Sequence, residues 1–334
     1  PNEDKFEKKL AKIELEEKLY ERAGMELQAK ARMREIRTWS KLKKEFNDGK
    51  FDDRDVNTHQ AESYTHQLEK SSFPKRNKKI FFLAGFPRAG NTLLTSILNQ
   101  NPDIGCTPKS ITLEIMKKLF LLKDGDVFRN FPDEQSFDNI MNEVYNLYYK
   151  NWNYKYIIDR GPAGTPSNLK ILKKHFKQEI KIIFLVRPIL EVLASWITWA
   201  NKTPDNFIRR NSKDSTQACH LLMSKEGPIV KELLCMQNLL KPENKHQVHF
   251  VDYEEIVEKP VATIKGIYKF LEIPFFKHRF TNLDQVVVNG LSYDDTVVGK
   301  DMHTIKTKKL IKSKTNVNIL PQEIIKVYGE IKFI

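Results

Sequence analysis

Residues 80–94 read Ile-Phe-Phe-Leu-Ala-Gly-Phe-Pro-Arg-Ala-Gly-Asn-Thr-Leu-Leu. An apolar run breaks into a turn bounded by Gly85 and Gly90, and Leu93, Leu94, Ile97 and Leu98 then follow at helical spacing. A glycine turn between a strand and a helix N-terminus presents backbone N–H groups to a phosphate. The spacing from Gly85 to Thr92 is Gly-x4-Gly-x-Thr, that of a nucleotide-binding P-loop, yet Asn91 occupies the position of its phosphate-contacting lysine. The nearest cation is Arg88, inside the loop. A bound phosphate is expected here, without the chemistry of an ATPase. Arg160 and Arg187 each follow another apolar run, and Lys109 adds a cation nearby. Arginines gathered at one edge repel each other unless an anion lies among them.

These side chains meet only if the apolar runs are strands of one sheet. Runs at 80–86, 154–158, 180–186 and 247–251 alternate with helical patterns at 90–100, 111–122, 137–152, 165–176, 190–200, 216–240 and 260–271. Thr165 before Pro166 is a cap followed by a first-turn proline. Such alternation predicts an α/β fold, a P-loop-like three-layer sandwich whose mostly parallel sheet has four to five strands, with ligands at the strands' carboxyl ends. Residues 1–75 read differently. They form a helical arm rich in Glu, Lys, Arg, Ala and Leu to about residue 47, then a polar linker. The expected division is therefore 1–75 and 76–334. The arm's mixed charges suit either a solvated face or docking of a partner or a second copy.

The chain has 334 residues, 20 Phe and 11 Tyr, enough for a full core. A formal charge of +13 favours anionic partners and also serves solubility. No interleaved aromatic and basic motif suggests nucleic acid. Cys106, Cys219 and Cys235 are odd in number and lack metal spacing, which points to a reducing, cytoplasmic setting rather than a disulfide framework. No run is long and apolar enough to span a membrane, and the first residues are charged rather than signal-like.

Three separated segments resemble the PAPS-dependent sulfotransferases, where PAPS is 3′-phosphoadenosine 5′-phosphosulfate. Phe86-Pro87-Arg88-Ala89-Gly90-Asn91-Thr92-Leu93-Leu94 is similar to the family's 5′-phosphosulfate loop. Phe184-Leu185-Val186-Arg187-Pro188, with Ser195 following, is similar to its 3′-phosphate motif. Val251-Asp252-Tyr253-Glu254-Glu255-Ile256, then Pro260 and Phe270-Leu271-Glu272-Ile273-Pro274, resembles its Tyr-Glu-Asp-Leu…Phe-Leu-Gly-Ile-Pro stretch. The resemblance covers about residues 78 to 310. It implies transfer of a sulfuryl group from PAPS to a hydroxyl or amine acceptor with release of PAP, by in-line displacement and without a metal. It also implies that Arg88, Ala89, Gly90, Asn91, Thr92 and Leu93 hold the 5′-phosphate and that Arg187 and Ser195 grip the 3′-phosphate. By the same resemblance Tyr253 would belong to the cofactor site, and Arg88 and Arg160 would stabilise the transferring group. Ser292 or Lys306 would stand for the family's late basic loop.

The resemblance leaves the acceptor's general base open. The family's glutamate position after the first helix holds Lys109, and Asp159, Glu114 and His303 are the candidates, with Asp159 best placed at a strand end. Ala89 and Asn91 replace the family's hydroxyl residues, which predicts rearranged phosphate contacts. The helices of 109–150 and the segment 200–215 are expected to shape the acceptor pocket. The alternatives are a non-catalytic module binding PAP, a nucleotide or a polyanion, and a P-loop kinase-like enzyme.

Overall fold

A computed structural model describes residues 78–203, 205–297, 302–305, 310 and 315–331. The predicted arm, its linker and Lys306 lie outside these residues. Five strands, β1 (Lys79–Gly85), β2 (Ile104–Cys106), β3 (Tyr156–Arg160), β4 (Ile182–Val186) and β5 (Val248–Asp252), form one sheet in the order β2-β3-β1-β4-β5. Every pairing is parallel. A parallel sheet is covered on both faces, so its strands are continuous apolar runs rather than alternating ones. Phe82, Leu83, Ile157, Ile183 and Phe184 are all fully buried.

The covering helices are α1 (Asn91–Leu98), α2 (Thr112–Leu121), α3 (Asp126–Asn130), α4 (Glu134–Tyr148), α5 (Pro166–His175), α6 (Ile189–Lys202), α7 (Phe207–Asn211), α8 (Ser215–Leu222), α9 (Pro228–Leu239), α10 (Tyr253–Glu258) and α11 (Pro260–Leu271). Thr165 caps α5, accepting from the Asn168 N–H, as its sequence context predicts. The single helix expected over 216–240 is two helices. Pro228 has no N–H for an α-helical bond, and Gly227 before it is extended at φ −71°, ψ 152°. The short edge strand β2 has no counterpart in the predicted elements. Three residues are too few for a periodicity. Among the described residues no helix is long and apolar enough to cross a membrane. Cys106, Cys219 and Cys235 are buried and unpaired.

Register brings the carboxyl ends together: Leu83 pairs with Arg160, Gly85 with Leu185 and Val186 with Asp252. From β1 the chain leaves toward β2, and from β4 it leaves toward β5 on the opposite side. The connections diverge between these two neighbours and open a crevice there, the usual ligand position in open parallel sheets. Later, β6 (Val287–Val288) and β7 (Leu291–Ser292) form a hairpin closed by Asn289 (φ 51°) and Gly290 (φ 74°), a two-residue turn that needs positive φ at both positions. A final helix, α12, spans Gln322–Tyr328.

Candidate active site

The crevice is built around the turn between β1 and α1. Arg88 (φ 67°) and Gly90 (φ 87°) are both left-handed, which curls the backbone back over the end of the sheet. A Cβ on Gly90 would lie 2.7 Å from Cδ2 of Tyr253, so only glycine fits between α1 and the buried tyrosine that begins α10. Asn91 is 4% exposed and donates from Nδ2 to the Phe86 carbonyl at 2.8 Å. The residue in the P-loop lysine position therefore ties the turn to itself.

Helix α1 begins without a side-chain cap and has no acidic residue in its first turn. Its first i→i−4 bond runs from the Leu94 N–H to the Gly90 carbonyl at 2.9 Å. The N–H groups of Asn91, Thr92 and Leu93 thus have no intrahelical acceptor, and they sit at the positive end of the helix dipole. Half-buried Thr92 adds a hydroxyl beside them.

Arg187, one residue beyond β4, is 3% exposed. Its Nη1 donates to the Arg88 carbonyl at 2.7 Å and its Nε to Glu191 Oε2 at 3.1 Å. Nη2 donates to Thr315 Oγ1, and the guanidinium lies 4.4 Å above the Tyr253 ring. Arg88 in turn donates from Nε to Ser195 Oγ at 3.2 Å and from Nη1 to the Met302 carbonyl at 2.8 Å. Arg88, Arg187 with Ser195, and Tyr253 come from three separated stretches of the chain and form one cluster at the β1/β4 crevice. Burial first, then the like charge of Arg187, pushes the Arg88 pKa down. The second cause shows two like charges held close together, with Asp295 partly offsetting them.

Arg160, at the end of β3, receives support from the loop that follows β2. Its N–H donates to Thr107 Oγ1 at 2.8 Å, and its Nη1 donates to the Pro108 carbonyl. Burial pushes its pKa down, opposed chiefly by Glu232 on α9. Glu232 is a site residue that the sequence reading misses. Its Oε2 accepts the Gly85 N–H at a long 3.4 Å, and burial raises its pKa to about 7 even though Arg160 pulls the other way. No local pattern marks it, because it lies 147 residues from the loop it touches.

The other predicted residues divide. Asp159 has no exposed surface, and burial raises its pKa to about 6 despite the surrounding hydroxyls of Ser110, Tyr145, Thr112 and Tyr149. Neither of its oxygens closes a hydrogen bond. Its side chain is sealed from the crevice, so an acceptor does not reach it in this structure. Glu114 is exposed on α2, paired with Lys118 at 3.1 Å. Ser292 is exposed on the hairpin. Its neighbour Tyr293 packs at a tilt against His303 with ring centroids 4.1 Å apart. His303 Nδ1 lies 2.5 Å from Asp295 Oδ1, while its backbone N–H donates to Asp295 Oδ2 at 2.8 Å. Between α6, α7 and α8 lies a cavity of about 390 Å³ lined by Ile197, Ala200, Ile208, Arg209 and Lys213, among others. No residue of the turn at 85–92 lines it, so the 200–215 segment encloses a space apart from the crevice.

The sulfotransferase domain model matches residues 78–315. No curated protein matches the chain. Among solved structures, a sulfotransferase domain from the curacin biosynthetic pathway is similar at 16% identity and a TM-score of 0.41, covering 77% of this chain and 92% of its own. Mouse sulfotransferase SULT7A1 complexed with PAP is similar at 19% identity and 0.40, covering 60% of each chain. A sulfotransferase from Alicyclobacillus acidocaldarius is similar at 17% identity and 0.40, covering 59% of this chain and 82% of its own. With the family's domain matched from β1 to Thr315, through every strand of the main sheet, the chain belongs to the sulfotransferases.

Proposed function

We propose that the protein transfers a sulfuryl group from PAPS to a hydroxyl-bearing acceptor. The observation that carries this reading is the meeting of Arg88, Arg187 and Ser195 beside the open N-terminus of α1. Free N–H groups, two crowded guanidiniums and no acid in the first helical turn suit a ligand with phosphates at both ends of a nucleoside. When bound, PAPS supplies a sulfuryl group that moves in line to the acceptor as its bridging S–O bond breaks, leaving the bond's electron pair on PAP.

The chain's own residues supply binding and charge. The N–H groups of Asn91, Thr92 and Leu93 and the Thr92 hydroxyl hold the 5′-phosphate. Arg187, supported by the Tyr253 face, and Ser195 take the 3′-phosphate, with Arg187 Nη2 exchanging Thr315 for a phosphate oxygen. Arg88 faces the bridging oxygen, where negative charge grows, and Arg160 steadies the transferring group. A fixed cation at a developing oxyanion contributes about 10²–10³ in rate.

The test is incubation with sulfur-labelled PAPS and a panel of phenol, alcohol, carbohydrate and tyrosyl-peptide acceptors. Labelled product is expected from at least one class, and Arg88→Ala should lower its formation about a hundredfold or more with the fold intact. An unmodified PAPS pool beside phosphoryl transfer from ATP would overturn the proposal.

A further inference from the structure

We infer that His303, oriented by Asp295, is the base that takes the proton from the acceptor hydroxyl. This rests on the sulfotransferase reading above and supplies the group that reading lacks. A carboxylate can only accept, so the Nδ1–Asp295 Oδ1 contact at 2.5 Å fixes the proton of neutral His303 on Nδ1. The lone pair is then on Nε2, which has no hydrogen-bond partner among the described residues. Asp295 holds the ring a second time through the His303 backbone N–H at 2.8 Å, and Tyr293 packs against it at 4.1 Å. A base held by a third group is the arrangement by which hydroxyls are activated elsewhere.

The dyad lies across the crevice, not in the tail beyond it. Met302, the preceding residue, accepts from Arg88 Nη1 at 2.8 Å. The charged groups acting on His303 are Asp295, Arg160 and Arg88, from three different segments of the chain. Burial and the two arginines hold its pKa below 6.5, and Asp295 opposes them. Anionic donor groups among the arginines weaken that push, so donor binding raises the base's pKa toward the working range. Asp159 is sealed in the core and Glu114 is spent on Lys118 at the surface. Glu232 already accepts the Gly85 N–H and faces Arg160.

In the step, Nε2 takes the acceptor O–H proton while the acceptor oxygen bonds to sulfur. The bond between sulfur and the bridging oxygen breaks, and its electron pair leaves with PAP. The imidazolium, steadied by Asp295, returns the proton to solvent.

The test uses the full chain and its His303→Gln, Asp295→Asn and Glu232→Gln variants. Three readouts are taken: heat stabilisation by PAP, turnover of labelled PAPS against the acceptor panel with water included, and the His303 Cε1–H resonance. His303→Gln should lower turnover about 10²–10⁴-fold and leave PAP stabilisation intact. Asp295→Asn should lower turnover less and move the ascending limb of the pH profile to lower pH, since it removes the group that raises the His303 pKa. The resonance lost in His303→Gln should titrate below 6.5 in the free protein and move upward with saturating PAP. Unchanged turnover in His303→Gln, a resonance indifferent to PAP, or turnover lost only in Glu232→Gln would each overturn the assignment. Absence of PAP stabilisation in the unaltered chain would instead overturn the PAPS reading itself.

Discussion

Replacing Gly90 with alanine asks two things of the loop at once, and Gly290→Ala separates them. Both glycines have positive φ, 87° and 74°, but a Cβ on Gly290 meets nothing within 4 Å, whereas on Gly90 it meets Tyr253 at 2.7 Å. The left-handed backbone alone costs a non-glycine residue about 1–2 kcal/mol, and this is the expected loss for Gly290→Ala. Gly90→Ala adds the cost of forcing a buried ring aside, about 1–3 kcal/mol for an overpacked site, for a total of about 2–5 kcal/mol. The displaced ring is the one under Arg187, so PAP affinity should fall with stability in Gly90→Ala and stay unchanged in Gly290→Ala. Equilibrium urea unfolding measures the first quantity and calorimetric titration with PAP the second. Equal stability losses in the two variants would refute the wedging of Tyr253 beneath the loop.

Two further perturbations follow from the geometry. Arg187→Lys keeps a positive charge but cannot donate at once to the Arg88 carbonyl, Glu191 and Thr315. Losing one charge-assisted bond, about 1.5–3 kcal/mol, should weaken PAP binding by roughly tenfold to a few hundredfold in titration calorimetry, and unchanged affinity would remove Arg187 from the proposed binding site. Burial raises the folded pKa of Asp159 to about 6, from 3.8 for an ordinary aspartate. The native state therefore holds its proton longer than the unfolded chain, and stability falls as pH rises from about 4 through about 6. The effect is about 3 kcal/mol at most. Asp159→Asn removes this penalty, so its melting temperature relative to the unaltered protein should rise between pH 4 and pH 7. A pH-independent difference in the melts would show that Asp159 does not titrate in that window.

Much of the crevice's framework could be read from the chain because it is encoded locally. The apolar run, Gly85, Gly90 and the helical spacing after them describe a strand, a turn and an exposed helix N-terminus within 20 residues. Arg160 and Arg187 each follow their own apolar run, and parallel order carries all such ends to one edge. The roles of Asn91, Glu232 and Asp159 depend on what lies across space. Asn91 looks like a weakened phosphate contact until its bond to Phe86 is seen. Glu232 reads as one charge on a helix surface until α9 is packed against Gly85. Asp159 stands at the right strand end, but a strand end does not reveal which face a side chain takes, and this one faces the core. His303 and Asp295 are eight residues apart in a polar sequence with no periodicity, and only contacts across space, such as Arg88 Nη1 on the Met302 carbonyl, join them to the site. The break at Gly227-Pro228 was legible as chemistry, yet good helix formers on both sides mask it.

The crevice is proposed to hold a nucleotide bearing phosphates at both its 3′ and 5′ ends. Thermal unfolding of the protein with PAP and with AMP at equal concentration tests it most directly. At a PAP concentration about a hundredfold above Kd, binding stabilises the native state by about 2.7 kcal/mol, equivalent to roughly 5–10 °C in a domain of this size. AMP, which lacks the 3′-phosphate proposed to sit on Arg187 and Ser195, should give less than about 2 °C by the same conversion. Equal shifts with the two nucleotides, or none with PAP, would contradict the claim.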